Sequence, residues 1–143
     1  MKVRIINKSR HPLPEYHTAG AAALDVRANL EAPVTLGPLG RALVPTGLFV
    51  AVPEGYEMQV RPRSGLAAKH GVTTVNAPGT IDSDYRGELK IIMVNLSDEP
   101  YTIEDGDRVA QVLVKPVERV EWVEVEAHDE TERGEQGYGH TGR

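Results

Sequence analysis

The stretch from Asn76 to Asn95, NAPGTIDSDYRGELKIIMVN, combines polar groups that can do chemistry with a strand that can hold them. Two carboxylates and a tyrosine lie at 82–85, where the chain reverses after the turn-forming pair Pro78-Gly79. The alternation of residues 89–93 predicts a strand directly behind this turn. A carboxylate presented on such a turn can bind a ligand or act as a general base. Turn chemistry alone also favours Asp and Gly, so a plain surface hairpin is the alternative.

A second group, Arg61-Pro62-Arg63-Ser64-Gly65, has the composition of an anion site. Arg63 offers a planar fork of donors, Ser64 a hydroxyl, and Gly65 a backbone that a ligand can approach closely. Residues 64–70 predict one short helix, capped by Ser64 and closed by Gly71, whose first N–H groups would add to the site. The alternative is a loop with two solvated arginines.

Two further segments are ambiguous on their own. Asp25 lies among apolar neighbours in LDVRA, residues 24–28, and either binds backbone donors locally or faces a site. Near the end of the chain, residues 133–142 place one arginine and one aromatic residue among glycines. This composition suits a lid that closes on an anionic ligand with an aromatic face, but it equally suits a disordered glycine-rich end.

Composition excludes several functional classes. The formal net charge of −5 argues against a general nucleic-acid binder, although a small anionic ligand needs only a local cluster of cations. The chain has no cysteine, and its five histidines do not show metal-ligand spacing. Neither a membrane-spanning apolar run nor a signal peptide is visible, so the cytosol is the expected location.

The pattern of elements predicts an all-β fold. Around ten short strands with turns between them, including a last strand over 117–125, indicate a sandwich or jelly roll with at most one short helix. At 143 residues the chain fits one domain. We expect an all-β core over residues 1–126 and a flexible, glycine-rich tail over 127–143, because the tail has too little apolar surface to order itself.

Taken in order, these segments resemble the trimeric dUTPase family, the deoxyuridine 5′-triphosphate nucleotidohydrolases. The resemblance covers nearly the whole chain, and any one motif is weak whereas five in order are specific. The motifs stand as AAALDVRA (21–28), RPRSGLA (61–67), NAPGTIDSDYRGELK (76–90), GDRVAQVLV (106–114) and RGEQGYGHTG (133–142).

The resemblance implies a uracil pocket on the third motif. Its members here are Asn76 and the backbone of Gly79, Thr80, Ile81 and Lys90. A β-turn's N–H and C=O groups can imitate the partner base, and a tight hairpin leaves no room for the methyl group of thymine. Tyr85 would pack beneath the deoxyribose and exclude a 2′-hydroxyl.

The resemblance also implies the reaction, hydrolysis of dUTP to dUMP and pyrophosphate, which keeps uracil out of DNA and supplies dUMP for thymidylate synthesis. Asp82 would activate the water that attacks the α-phosphorus. The phosphates would be held by Arg63, Ser64, Gly65 and Gln111, with Arg108 bracing the site, and Arg133, Tyr138 and Gly139 would close over the substrate from the tail. The triphosphate would chelate Mg²⁺, with Asp25 contacting the ion through water. The implied assembly is a jelly-roll homotrimer with its sites at subunit interfaces, acting in the cytoplasm without nucleic-acid or membrane partners.

Two positions depart from the family pattern, and two other functions compete with this one. Gln136 and His140 stand where the family commonly has Gly and Ser, which bears on the closed geometry of the lid. A dCTP deaminase or bifunctional relative would share the turn at Ile81-Asp82, but such chains are typically longer and lack the pair Asp84-Tyr85. A binding or regulatory module that has lost catalysis would not need Asp82, Asp25, Ser64 and Arg133 together.

Overall fold

The computed structural model describes residues 1–137 and confirms an all-β architecture with one short helix. Ten strands and the helix are arranged along the chain as β1 Arg4–Asn7, β2 Leu24–Arg27, β3 Val34–Leu36, β4 Arg41–Ala51, β5 Tyr56–Arg61, α1 Ser64–His70, β6 Val72–Thr74, β7 Gly79–Ile81, β8 Glu88–Asn95, β9 Tyr101–Ile103 and β10 Arg108–Pro116. In this part of the chain no helix is long and apolar enough to cross a membrane.

The strands form two four-stranded sheets and a two-stranded ribbon, and every strand pairing is antiparallel. One sheet has the order β1-β4-β8-β6, the second has the order β2-β10-β5-β7, and β3 pairs with β9. Neighbours in each sheet are distant in sequence, as in a jelly roll, and this order brings separated motifs side by side.

The core lies between the two sheets and follows from the alternation along each strand. On β8 the side chains of Leu89, Ile91 and Met93 are buried, whereas Lys90 and Ile92 face outward. The second sheet contributes buried residues such as Val60 and Val112. The buried hydrophobic side chains are Val, Leu, Ile, Met and Ala, as the scarcity of large aromatic residues requires.

Two local predictions are wrong. The helix over 64–70 has its predicted bounds and ends at Gly71, whose φ of 64° is left-handed, but its N-cap residue is Arg63, without a side-chain capping bond. Ser64 therefore lies one position inside the cap. The strand predicted over 117–125 does not form: between Val117 and Gly137 the structure contains neither strand nor helix. The Val117 N–H donates to the carbonyl oxygen of Gly55 at 2.9 Å, but no strand ladder follows from it.

Candidate active site

The first half of the candidate site is a row of polar residues across the second sheet. Gln111 on β10 pairs with Asp25 on β2 at one side and with Arg61 on β5 at the other. Residues directly opposite each other on antiparallel strands project to the same face, so the three side chains share one surface. Three segments that lie about 35 to 85 residues apart in sequence thus meet through strand register alone.

Asp25 lies at the centre of a cluster of cationic groups. Its Oδ1 accepts a hydrogen bond from Arg63 Nε at 3.2 Å, and its Oδ2 lies 3.5 Å from Arg108 Nη1. The Nε2 atom of His17 is 3.7 Å from the same oxygen and 3.3 Å from Arg108 Nη1. The side chain is only 16% exposed. Of the two interpretations of Asp25, the structure therefore favours a carboxylate that organises side chains rather than one that serves its own backbone.

The loop before α1 is tied to this row at two points. Gln111 Nε2 donates to the carbonyl oxygen of Pro62 at 2.8 Å, and Arg63 Nη1 donates to the carbonyl oxygen of Arg108 at 3.1 Å. Ser64 and Gly65 follow directly, exposed in the first turn of α1, where backbone N–H groups have no partner within the helix. Arg63, Ser64, Gly65 and Gln111 therefore lie together, beside Asp25.

The second half of the site is the segment that joins β7 to β8, two strands that lie in different sheets, so this segment is not the hairpin that the sequence suggested. Gly79 is buried against β5, and a Cβ there would lie 3.0 Å from Asn76 Nδ2 and 3.3 Å from Val60 Cβ. A larger residue would therefore crowd Asn76. Thr80 is exposed and Ile81 is half-buried on the same short strand. β7 pairs with β5, whereas β8 pairs with β4 and β6.

The turn that follows presents Asp82 and Tyr85. The N–H of Tyr85 donates to the carbonyl oxygen of Asp82 at 3.2 Å, which closes the turn, and the Tyr85 hydroxyl donates to the carbonyl oxygen of Glu88 at 3.1 Å. Asp82 is exposed and lines a surface cleft with Arg4 and Arg119. Lys90 is exposed on β8, with its Nζ 3.6 Å from Glu88 Oε2.

The two halves are far apart within one chain. Asp25 shares a row with Arg61, whereas Ile81 pairs with Met58, so Asp82 is about four residues further along the sheet and three strands across it. With strand rises of about 3.3 Å and strand spacings of about 4.8 Å, Asp25 and Asp82 are separated by about 20 Å. No single substrate phosphate can contact both groups of one chain.

The tail contributes one described residue. Arg133 Nε donates to the carbonyl oxygen of Gln136 at 2.9 Å. In the same turn the Gly134 N–H donates to Thr131 Oγ1 at 3.1 Å. Arg133 is exposed and therefore lies free of the core. Tyr138, Gly139 and His140, predicted to belong to the lid, lie outside the described residues.

Two features near Asp25 and α1 were not predicted. His17 enters the cluster from the loop before β2, and its spacing from the other histidines carries no signal of this role. Tyr101 on β9 packs against His70 with ring centroids 4.9 Å apart, behind the helix. Burial raises the pKa of the Tyr101 hydroxyl, and the charge of Asp107 acts in the same direction, while Arg63 opposes them.

The donor set at Asp25 suits one kind of cation contact. Within residues 1–137 no three His, Asp or Glu side chains gather closely enough to hold a metal by themselves. A single carboxylate, already engaged by two arginines, suits an ion that is carried by phosphate oxygens and keeps its water shell. Mg²⁺ typically keeps several water ligands and is bound by one or two carboxylates together with phosphate oxygens.

Comparison with known proteins first defines the class. The chain has the dUTPase fold: a solved structure of the Staphylococcus bacteriophage 80alpha dUTPase with dUPNHPP superimposes with a TM-score of 0.88, at 27% identity over 99% of each chain.

Sequence comparison then gives the family. A family model described as dUTPase matches residues 9–142, and the chain belongs to the dUTPase family. A deoxyuridine 5′-triphosphate nucleotidohydrolase of Finegoldia magna is 58% identical over 142 residues, covering 99% of both chains. The protein with the same name from Fusobacterium nucleatum is 59% identical over 143 residues, covering all of this chain and 98% of its own.

Proposed function

We propose that the protein hydrolyses dUTP to dUMP and pyrophosphate, with Mg²⁺, in the cytoplasm. The product dUMP is a precursor for thymidylate, and removal of dUTP keeps uracil out of DNA. The observation that carries the proposal is that one chain holds both an arginine and carboxylate cluster and a turn that presents a carboxylate and a tyrosine, and that its relatives bear the name of this activity.

The segment that joins β7 to β8 supports recognition of uracil. The backbone of Gly79, Thr80 and Ile81 and that of Lys90 lies on two strands that diverge from one turn, with the Asn76 amide packed against Gly79. Backbone N–H and C=O groups can imitate the partner base of uracil, and a cytosine amino group would leave a polar group unpaired. Tyr85, 43% exposed, offers its ring to the sugar.

Asp82 supports the chemical step. Its carboxylate accepts a proton from a water molecule as that water attacks the α-phosphorus. The bond from the α-phosphorus to the oxygen bridging to the β-phosphorus breaks, and that oxygen leaves with the pyrophosphate. Asp82 is exposed on a turn that the Tyr85 N–H fixes, so its oxygens are accessible to solvent water.

The cluster around Asp25 supports binding of the triphosphate. Arg63, Ser64, Gly65 and Gln111 form the receiving surface, and Arg108 braces Arg63 through its carbonyl oxygen. Bound Mg²⁺ would neutralise phosphate charge, with Asp25 orienting its water ligands. Two arginines held in place before substrate arrives do not have to be ordered during binding.

Several features support a homotrimer with its sites between subunits. The separation of about 20 Å between Asp25 and Asp82 supports a site to which two copies contribute. The segment 117–125 exposes Trp122 by 89% and Val123 by 79%. Between the edge strands β1 and β2 an apolar groove lies open, lined by Val3, Ile5, Leu24 and Val114 among others. Apolar surface of this extent belongs at an interface.

We also propose that the chain divides into a core over 1–126 and a lid over 127–143. Arg133 would approach the γ-phosphate, while Tyr138 would stack on uracil beside Gly139. The exposed position of Arg133 outside the sheets is compatible with a segment that closes on substrate.

The first experiment measures pyrophosphate release from dUTP with Mg²⁺, alongside dTTP, dCTP and UTP, for the natural chain and Asp82→Asn. We expect release from dUTP only, and a fall in kcat of about 100- to 10,000-fold in Asp82→Asn. Ammonia release from dCTP would instead indicate a deaminase. Binding of dUTP without turnover would indicate a regulatory protein.

A complementation experiment tests the shared site. Asp82→Asn and Arg63→Ala, each nearly inactive alone, are unfolded together and refolded at equal amounts. If Asp82 and Arg63 of one site come from different subunits, about one quarter of the sites receive both natural residues on random assembly. A site within one chain predicts that the mixture stays as inactive as its components.

A further inference from the structure

Strand β4 carries a bulge where it runs beside the start of β8. Pro45 pairs with Lys90 and Phe49 pairs with Glu88, so Thr46, Gly47 and Leu48 stand opposite the single residue Leu89. Gly47 has a φ of 68°, and a Cβ there would lie 2.8 Å from the backbone nitrogen of Ser9. A bulge of this kind removes backbone groups from the regular ladder, and they need other partners.

Two side chains supply those partners. Thr46 Oγ1 donates to the carbonyl oxygen of Leu89 at 2.6 Å and accepts from the N–H of Leu48 at 3.2 Å. Glu88 Oε1 accepts from the N–H of Gly47 at 2.8 Å. The Glu88 side chain is 21% exposed, and its other oxygen lies 3.6 Å from Lys90 Nζ. Glu88 is therefore fixed between β4 and the next outward residue of its own strand.

The backbone of the same residue holds Tyr85. The carbonyl oxygen of Glu88 accepts the Tyr85 hydroxyl at 3.1 Å. Between them, Gly87 leaves space for the ring, because a Cβ on Gly87 would lie 2.2 Å from the Tyr85 hydroxyl oxygen and 2.5 Å from Cζ. The position of Tyr85 thus depends on a backbone that the Glu88 carboxylate fastens to β4.

We propose that Glu88 is a positioning residue. Its carboxylate, bonded to the Gly47 N–H, fixes the position of the Tyr85 ring and thereby the preference of the site for deoxyribose over ribose. The inference rests on the proposed function, since it assigns a selectivity to that site. Any side chain that presents an acceptor oxygen at the same place would serve, so the amide of glutamine is a conservative replacement, whereas alanine is not.

The experiment compares Glu88→Ala with Glu88→Gln. Two quantities are measured: the ratio of kcat/KM for dUTP to kcat/KM for UTP, and hydrogen exchange at the Gly47 amide. In Glu88→Ala we expect the ratio to fall about tenfold and the amide to exchange at least about tenfold faster, while Glu88→Gln stays within about twofold of the natural chain in both. If Glu88→Ala does not fold, Glu88→Met, which keeps the stem but has no acceptor oxygen, takes its place.

Gly87→Ala provides the complementary variant. It displaces the Tyr85 ring but keeps the Glu88 bond to Gly47, so the nucleotide ratio should fall with Gly47 exchange unchanged. A purely structural role for Glu88 would lower the rates with both nucleotides equally and leave their ratio intact, and that result overturns the proposal. If the natural chain does not hydrolyse dUTP, the proposed function fails separately, and the Gly47 exchange rates still decide whether Glu88 fastens the two strands.

Discussion

Gln111 offers a sharp test of how the phosphate end of the site is built. Its amide donates to the carbonyl oxygen of Pro62 at 2.8 Å, and its partner across the sheet is Asp25. Replacement by leucine removes the hydrogen bond at similar volume. Replacement by glutamate keeps the shape but turns the donor into an acceptor and places a second negative charge opposite Asp25.

The magnitudes follow from this geometry. The lost hydrogen bond costs about 1 kcal/mol, so KM for dUTP should rise about fivefold in Gln111→Leu. Two carboxylates about 5 Å apart repel by about 1–3 kcal/mol at effective dielectric constants of about 20–80. This repulsion is present with and without substrate and lowers stability, whereas KM rises because the new carboxylate repels the substrate phosphates over a similar distance. Because Arg63 and Arg108 offset part of that second repulsion, we expect KM to rise about 30- to 150-fold in Gln111→Glu.

Initial rates of pyrophosphate release against dUTP concentration measure both effects, and salt separates them. The excess of Gln111→Glu over Gln111→Leu should shrink between about 0.05 M and 0.5 M KCl, because added salt screens the charge but not the missing hydrogen bond. Equal KM values in the two variants at low salt would refute the electrostatic reasoning. An unchanged KM in Gln111→Leu would show that Pro62 is held without Gln111.

Three further predictions concern the fold and the tail. Asn95→Ala should lower the free energy of unfolding by about 3–5 kcal/mol in urea titrations, because the fully buried amide donates to the carbonyl oxygens of Leu36 and Glu99. The control variant Ser97→Ala should lower it by only about 0.5–1.5 kcal/mol. Similar losses in the two variants would contradict this reasoning. The pKa of Asp105 is lowered to about 2, chiefly by the hydrogen bond from the Leu30 N–H and then by the hydrogen bond from His11. The positive charge of Arg10 acts in the same direction. A carboxylate whose pKa is lower in the folded protein stabilises the fold at pH values above its unfolded pKa of about 3.9. The Tm of Asp105→Asn should therefore lie furthest below that of the natural chain above this pH, and the difference should shrink as the pH falls toward about 2. A difference that does not change with pH would contradict this reasoning. Removal of residues 127–143 should raise KM for dUTP at least about tenfold with an unchanged circular dichroism spectrum, and an unaltered KM would exclude the lid.

Period-2 alternation predicted most of the sheets because burial of one face is what creates that pattern. It identified β5 and β8 with their buried faces, and glycine chemistry identified the end of α1. The strand predicted over 117–125 rested on its valines, which lie at 117, 120, 123 and 125 without a strict alternation, and that prediction failed. Apolar side chains in a segment indicate that the segment is to be buried. They do not indicate which sheet edge buries it, or whether that edge belongs to the same chain or to another copy.

The candidate site divides in the same way. The residue types that suit phosphate binding and water activation are visible in the motifs themselves, from Arg63 to Asp82. Strand register is not visible, so neither the contact of His17 with Asp25 nor the bond between Glu88 and Gly47 has any signature in sequence spacing. The first depends on the path of the loop before β2, and the second on a pairing between strands that are far apart along the chain.

Register also explains how an acidic chain can receive a triphosphate. The chain carries a formal net charge of −5, yet Arg63 and Arg108 meet a single carboxylate at Asp25, which leaves a local charge of +2 − 1 = +1. Asp25 keeps the two guanidinium groups close together despite their mutual repulsion. A single compact polyanion gains from such a fixed cluster, whereas a nucleic-acid backbone needs cations spread over many phosphates. Selectivity for a small anionic substrate therefore follows from where two strands and the loop before α1 place three charges, and the overall charge of the chain contributes little to it.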